Sequence, residues 1–269
     1  MREFTFVSPS LTRSISTSGM SCALNCKHCG KHYLQGMGSV KEIQKFSSDG
    51  KRSFLISGGL NEKFTVPWKD HATFLIKMKK IHDIKYNFHV GPVVNRDDIP
   101  LLRELADIVS FDFVGDAETM KEVYGENLFN VSMKSFELLI ENDIKVVPHI
   151  TVGLKGGLLS HEFKALDLLE KAGIKKVVFL VFIPTAGTVY GKKTPPKIED
   201  VEMVFKRASG FRRILGCMHP GGNYRRELQN MALSLKFDAI VQPIKTVIEK
   251  AKSLDIKTSY FYECCGFLL

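Results

Sequence analysis

Cys22, Cys26 and Cys29 lie in Cys22-Ala23-Leu24-Asn25-Cys26-Lys27-His28-Cys29, three thiols in one short loop. Thiolates held that close repel one another and oxidise readily unless a metal neutralises them. A compact, sulfur-rich donor set suits iron–sulfur or zinc rather than a hard cation. Three cysteines leave an iron–sulfur cluster one protein ligand short of its usual four. An iron without a protein ligand is free to bind something else. The competing reading is a zinc knot with His28 or His32 as fourth ligand, although such sites more often pair two short Cys-x-x-Cys arms.

The chain has six cysteines. The remaining three are Cys217, within Gly216-Cys217-Met218-His219-Pro220, and the adjacent pair Cys264 and Cys265. This second set is expected to hold an auxiliary iron–sulfur cluster. Adjacent cysteines cannot both point inward from a regular strand, because side chains alternate between faces. Ligation by both therefore requires an irregular loop. The plainer alternative is one buried Cys217 and a redox-labile terminal pair.

Elements must position these groups. Apolar, β-type runs recur at 13–17, 53–57, 86–90, 108–113, 146–152, 177–183, 213–217 and 239–241. Between them, 68–81, 97–106, 128–142, 161–172, 198–208, 225–235 and 246–254 carry apolar residues at helical spacing, as in Phe74, Leu75, Met78 and Ile81. Strands alternating with helices predict an α/β fold with a parallel sheet. About eight such units in roughly 250 residues predict a TIM-like barrel, full or near-full, with six to eight strands. No linker interrupts it, so residues 1–269 are expected to form one domain.

The unusual residues follow the strand ends: the cysteines, Ser57-Gly58-Gly59, Gly91-Pro92, Gly115-Asp116, Gly153, Pro184 to Thr188, and Gly216 to Gly222. In a parallel barrel these ends converge on one mouth, where ligands bind. The tail, about 255–269, is expected to cover that mouth. His89 and His149 fall where they could line the interior or serve as satisfied core histidines. Arg225 and Arg226 read as substrate anchors or as a plain helix start.

Cys-x3-Cys-x2-Cys after the first strand of an α/β chain resembles the radical S-adenosylmethionine (SAM) enzymes. The resemblance implies that Cys22, Cys26 and Cys29 hold a [4Fe–4S] cluster whose fourth iron chelates the amino and carboxylate groups of SAM. Reductive cleavage then gives a 5′-deoxyadenosyl radical that abstracts an unactivated hydrogen. The family commonly has an aromatic residue where His28 stands. Ser57-Gly58-Gly59 is similar to its Gly-Gly motif, which bonds the methionine end of SAM, with Leu60 in place of the usual acidic residue. Pro184-x-x-Gly187-Thr188 resembles the sixth-strand segment of the biotin synthase and lipoyl synthase branch, near the adenine. Gly153 is assigned to the same cofactor. Asp112 and Asp116 could bond ribose hydroxyls, and Asp116 reads equally well as a helix cap.

Within that branch, Ser8-Pro9-Ser10, Leu215-Gly216-Cys217-Met218-His219-Pro220 and the terminal Cys-Cys resemble the biotin-synthase-like proteins that make lipoyl groups as a pair. That resemblance implies a sulfurtransferase whose auxiliary cluster donates sulfur to an octanoyl-lysine on a lipoyl-carrier domain. It also implies a sister radical SAM protein and an electron donor such as ferredoxin. The alternatives are radical SAM chemistry of another kind, biotin-forming or without sulfur, and a zinc-bound structural or binding protein.

Apolar content of 44% and charged content of 25% are ordinary for a soluble globular chain of 269 residues. No stretch approaches a membrane span of about 20 apolar residues, and Met1-Arg2-Glu3-Phe4-Thr5-Phe6 lacks the apolar run of a signal peptide. A cytoplasmic location with reduced thiols is expected. The net charge of +9 admits an acidic protein partner. No basic run interleaves with aromatics, which argues against nucleic acid. Lys77, Lys79, Lys80, Lys171, Lys175 and Lys176 read as solvated faces.

Overall fold

The computed structural model describes residues 3–268. β1 (Phe4–Val7), β2 (Thr12–Ser16) and β3 (Gly38–Ser39) precede α1 (Ile43–Ser48). Strand–helix units follow: β4 (Ser53–Ser57) with α2 (Ala72–Ile81), and β5 (Lys85–His89) with α3 (Ile99–Leu105). β6 (Ile108–Asp112) leads to two helices, α4 (Ala117–Tyr124) and α5 (Phe129–Glu141). Next come β7 (Val146–Val152) with α6 (Glu162–Lys171), and β8 (Lys176–Val181) with α7 (Ile198–Arg207). The chain closes through β9 (Arg212–Leu215), α8 (Gly222–Ser234), β10 (Ala239–Val241), α9 (Lys245–Ser253) and β11 (Thr258–Phe261).

All eight anticipated strands form. They belong to an eleven-stranded, wholly parallel sheet in the order β11-β1-β10-β9-β8-β7-β6-β5-β4-β2-β3. The additions are β1, β3 and β11, with α1 and α4. They are short, and α4 buries only Thr119, Met120 and Val123, too few to make a periodic stripe.

The two faces of the sheet have different chemistry because side chains alternate along each strand. Outward-facing Phe54, Ile56, Tyr86, Phe88, Val109, Phe111 and Phe179 are fully buried against the helices. Burial of each contributes about 1.5–3 kcal/mol. On the inner face Val7, Ile108, Val147, Val178, Ile214 and Ala239, from six different strands, meet in one apolar cluster. That meeting requires the sheet to curl into a barrel. Asn87, Ser110 and Lys176 also face inward, so the interior is more polar than a barrel filled by aliphatic layers.

The ladder of hydrogen bonds is not a complete ring: β1 and β2 are joined by the loop 8–11 and do not pair. The tail bridges this gap. Ser8 N–H donates to Phe261 O at 2.8 Å, Leu11 N–H to Tyr262 O at 2.9 Å, and Cys264 N–H to Thr12 Oγ1 at 2.7 Å.

The tail does not cover the mouth. Glu263 pairs with Lys85 at 2.7 Å, and Lys176 Nζ donates to Gly266 O at 3.2 Å and Leu268 O at 2.6 Å. Lys85, Lys176 and Thr12 are each the first residue of their strand. The segment 263–268 therefore closes the floor, the end opposite the cysteine loop. A terminal segment that supplies β11 beside β1 is carried past that edge and turned inward, which local sequence does not reveal. Lys176 is correspondingly not solvated: burial, followed by the nearby Arg212, pushes its pKa down to about 8. Among the described residues no helix is long and apolar enough to cross a membrane.

Candidate metal centre and cofactor cavity

The cysteine loop leaves the C-terminal end of β2 and is pinned by three other elements. After β4, Leu60 N–H donates to Cys22 Sγ at 3.3 Å, and Ala23 N–H donates to Leu60 O at 2.7 Å. From α4, Val123 O accepts from Lys27 N–H at 2.9 Å. After β8, Tyr190 N–H donates to Lys27 O at 2.9 Å. Within the loop, the amides of Cys29 and Gly30 both donate to Cys26 O, at 3.0 and 2.9 Å.

Glycine is required where β4 meets this loop. A Cβ on Gly59 would lie 2.5 Å from Cys22 Cβ, with loop backbone beside it, and nothing there can yield. The Gly-Gly pair thus seats the cysteine loop as well as lining the space beside it.

That space is a cavity of about 350 Å³, within the range that takes small ligands. Cys22, Cys26, Cys29, Ser57, Gly58, Gly59 and Asp112 all line it. Burial, then repulsion from Cys29 and Cys22, pushes the Cys26 thiol up to about 12. Burial also raises Cys29. Thiols raised in this way ionise together only if a cation compensates them, which is the chemistry of a metal centre. Among the described residues no three His, Cys, Asp or Glu side chains gather about one ion position. His32 is exposed, away from a role as fourth ligand. His28 is half-buried and neutral, its pKa pushed by burial to about 4, and it packs edge-on against Tyr124 with ring centroids 5.7 Å apart.

Deeper in the barrel His89 Nε2 meets Asp112 Oδ2 at 3.0 Å. Burial pushes the Asp112 carboxyl up, but His89, through its charge and its contact, outweighs it. With help from His149 and His28 the carboxyl is held at about 2. Asp112 keeps 46% of its side-chain surface open, so it faces the cavity with an acceptor available to a ligand. His149 lies beside this pair, 6.3 Å from His89 between ring centroids.

The second cysteine set lies below, with Cys217 and the terminal pair near enough to influence one another electrostatically. Cys217 is enclosed, and burial followed by the nearby Cys264 pushes its thiol up to about 11. Its surface is nevertheless exposed. An irregularity follows β9: Gly216 N–H donates to Phe179 O, whereas Val181 N–H reaches past Cys217 to Met218 O. Cys264 accepts a hydrogen bond from Asn87 Nδ2 at 3.3 Å. The Cys265 thiol holds the Cys264 pKa down, and the same contact holds that of Cys265 up.

Several expected cofactor residues do not line the cavity. Asp116 caps α4, its Oδ1 accepting from Thr119 N–H at 2.7 Å. Gly153 N–H donates to Glu162 Oε1 at 2.7 Å, and its α-carbon faces Pro196. Pro184, Gly187 and Thr188 form a turn outside it, with Thr188 packed on Gly30, where a Cβ would come within 3.1 Å of Thr188 Cγ2. This turn braces the cysteine loop from behind. Conversely, Tyr33, Tyr124, Leu180, Phe182 and Met218 line the cavity without having been singled out. Phe182 and Met218 fall at strand ends that were recognised, and that was their available signal. Arg225 lies inside α8, which begins three residues earlier at Gly222.

Solved structures share this architecture. Methylornithine synthase (PylB) superposes with a TM-score of 0.66 at 12% identity, over 96% of this chain and 84% of that one. The fold is that of the methylornithine synthase barrel. anSMEcpe with bound AdoMet and Cp18Cys peptide matches at 0.52 and 14% identity, over 87% of this chain and 63% of that one. Streptococcus suis SuiB bound to precursor peptide SuiA matches at 0.56 and 12% identity, over 94% of this chain and 52% of that one. The barrel here thus spans about half to two-thirds of those two proteins. At such identities the likeness concerns the fold alone. No protein-family profile and no curated protein matches the sequence.

Proposed function

We propose that this protein is a radical SAM enzyme that inserts sulfur into a protein-bound acyl chain. The observation that carries the first half is the Cys22–Cys26–Cys29 loop, clamped at the barrel mouth beside a cavity also lined by Ser57-Gly58-Gly59. Cys22, Cys26 and Cys29 would hold a [4Fe–4S] cluster, with SAM beside it in the cavity, and together these would supply reductive radical chemistry at an unactivated carbon. The chain's own residues do the rest. Leu60 N–H fixes the Cys22 sulfur, Asp112 offers a hydrogen-bond acceptor to ribose or ammonium, and Leu180, Phe182 and Met218 give an apolar wall that excludes water from a radical.

The sulfur-inserting half is supported by Cys217 standing within electrostatic reach of Cys264 and Cys265, which touch one another below that cavity. They would hold an auxiliary iron–sulfur cluster, the sulfur source. The substrate in this reading is an octanoyl-lysine on a lipoyl-carrier domain. A sister radical SAM protein acts at the other carbon, and a donor such as ferredoxin supplies electrons. Lys31 on the rim suits an acidic carrier.

Anaerobic reconstitution tests both halves. About eight irons per chain are expected, four on each set. Four irons would leave a radical SAM enzyme of other chemistry, and stoichiometric zinc would refute both halves. Cys26→Ala should abolish 5′-deoxyadenosine formation. Cys217→Ala should retain it while losing sulfur gain on an octanoyl-lysyl peptide, read by mass spectrometry.

A further inference from the structure

Two adjacent cysteines enter the barrel floor in different environments. Cys265 is 6% exposed and packs in the apolar cluster with Val7, Ile108, Val147 and Val178. Cys264 is half-buried at the edge of the same cluster and is bonded to Asn87. The backbone allows this split because Cys264 is extended (φ −56°, ψ 136°) immediately before the tight turn Cys265–Phe267.

Asn87 is an unusual residue for the middle of a parallel strand, and it is completely buried. A buried amide needs partners at both ends. Its Oδ1 accepts from Ser110 Oγ at 2.9 Å, which directs Nδ2 at the Cys264 sulfur 3.3 Å away. The tail is shaped to this amide: a Cβ on Gly266 would lie 2.9 Å from Asn87 Nδ2. Thr12 Oγ1 on the Cys264 amide, and Lys176 on the carbonyls of Gly266 and Leu268, hold the backbone on either side. Along β5, Asn87 is two residues below His89, so Cys264 lies one layer beneath the cavity floor.

We propose that Asn87 is the positioning residue of the second cysteine set: its Nδ2–H fixes the Cys264 sulfur from the barrel interior, while Cys265 is packed as a core thiol. Cys264 is then the member of the adjacent pair that serves as a ligand with Cys217. The ligand assignment rests on the auxiliary-cluster reading, whereas the orientation of the two sulfurs does not.

Iodoacetamide labelling of the full-length, iron-free chain, followed by peptide mass spectrometry, tests the orientation. Cys264 should react at least about tenfold faster than Cys265. Asn87→Leu should bring the two rates to within about threefold, as expected for loss of one hydrogen bond to sulfur. Ser110→Ala, which frees the amide without emptying the site, should shift the ratio in the same direction and guards against a folding defect in the first variant. Faster labelling of Cys265, or an unchanged ratio in a folded Ser110→Ala chain, would overturn the proposal. The ligand assignment is read in a chain carrying Cys22→Ala, Cys26→Ala and Cys29→Ala, reconstituted with iron and sulfide. Adding Cys264→Ala should remove the bound iron, and adding Cys265→Ala should spare it; the reverse refutes the assignment. If the triple variant takes up no iron with both cysteines intact, the auxiliary-cluster reading fails, and the labelling ratio still decides what Asn87 does.

Discussion

His149 faces the barrel interior with Asp112, His89 and Lys176 around it, and burial holds its pKa down to about 4 despite the carboxylate. The unfolded chain protonates the same imidazole from about pH 6.5. Between those values the unfolded state binds more protons, so stability falls as the pH falls from about 6.5 to about 4. The loss from His149 should be on the order of 2 kcal/mol. Urea midpoints measured across that range should drop, and His149→Asn should flatten the slope. Asp112 adds a second, lower window: held at about 2, its contribution is complete above the unfolded carboxylate's value near 4 and disappears as the pH falls toward 2. His89 works in the opposite sense. Its pKa is raised because Asp112 outweighs burial, so its contribution fades as the pH climbs through that raised value.

The cysteine loop has almost no secondary structure of its own, and neighbouring elements fix its shape. α4 is the least conspicuous of these in sequence and among the most consequential, since it supplies Val123 O to Lys27 and the Tyr124 ring to His28. Its N-cap is Asp116, whose carboxylate bonds both the amide and the hydroxyl of Thr119. Asp116→Ala should cost about 1 kcal/mol in thermal or urea unfolding. It should leave SAM affinity, read by calorimetry on the reconstituted protein, within about twofold, since Asp116 does not line the cavity and its carboxylate is taken up by Thr119. A large loss of affinity would restore the ribose role. The contact between β4 and the loop is less forgiving. Gly59→Ala forces a methyl against Cys22, with an overpacking cost of about 1–3 kcal/mol. Iron bound by the Cys22 set should fall with it, while iron on the Cys217 set persists.

At the scale of the whole molecule, the barrel is closed at one end by its own C-terminus. Removing residues 263–269 would strip Lys176 of its two carbonyl acceptors and Lys85 of Glu263, and would uncover Val7, Ile108, Val147 and Val178. The truncation opens Lys176 to water along with this surface, so the loss is that of the apolar burial, about 25 cal/mol for each Å² uncovered. The truncated chain should melt earlier and bind a hydrophobic dye that the full chain excludes.

The eight inner strands, most of the helices and the cysteine-bearing mouth were legible because each depends on short-range pattern. Apolar runs, helical spacing and glycines at strand ends are properties of ten or fifteen consecutive residues. Cys22, Cys26, Cys29, Ser57, Gly58 and Gly59 share a wall because a parallel barrel gathers its strand ends, whatever the rest of the sequence does. The course of the tail, by contrast, follows from β11 pairing with β1 across the whole length of the chain, and a local window carries no information on that pairing. The same holds for Asn87 beneath Cys264, for Lys176 turned inward, and for the turn at Pro184–Thr188 bracing the loop from outside the cavity. Each joins residues distant in sequence, through contacts that exist only once the sheet has curled. Local sequence determined which residues could do chemistry and at which end of the barrel most of them would lie. Tertiary structure alone decided which of them face one another, because facing is a property of the closed sheet and not of any segment within it.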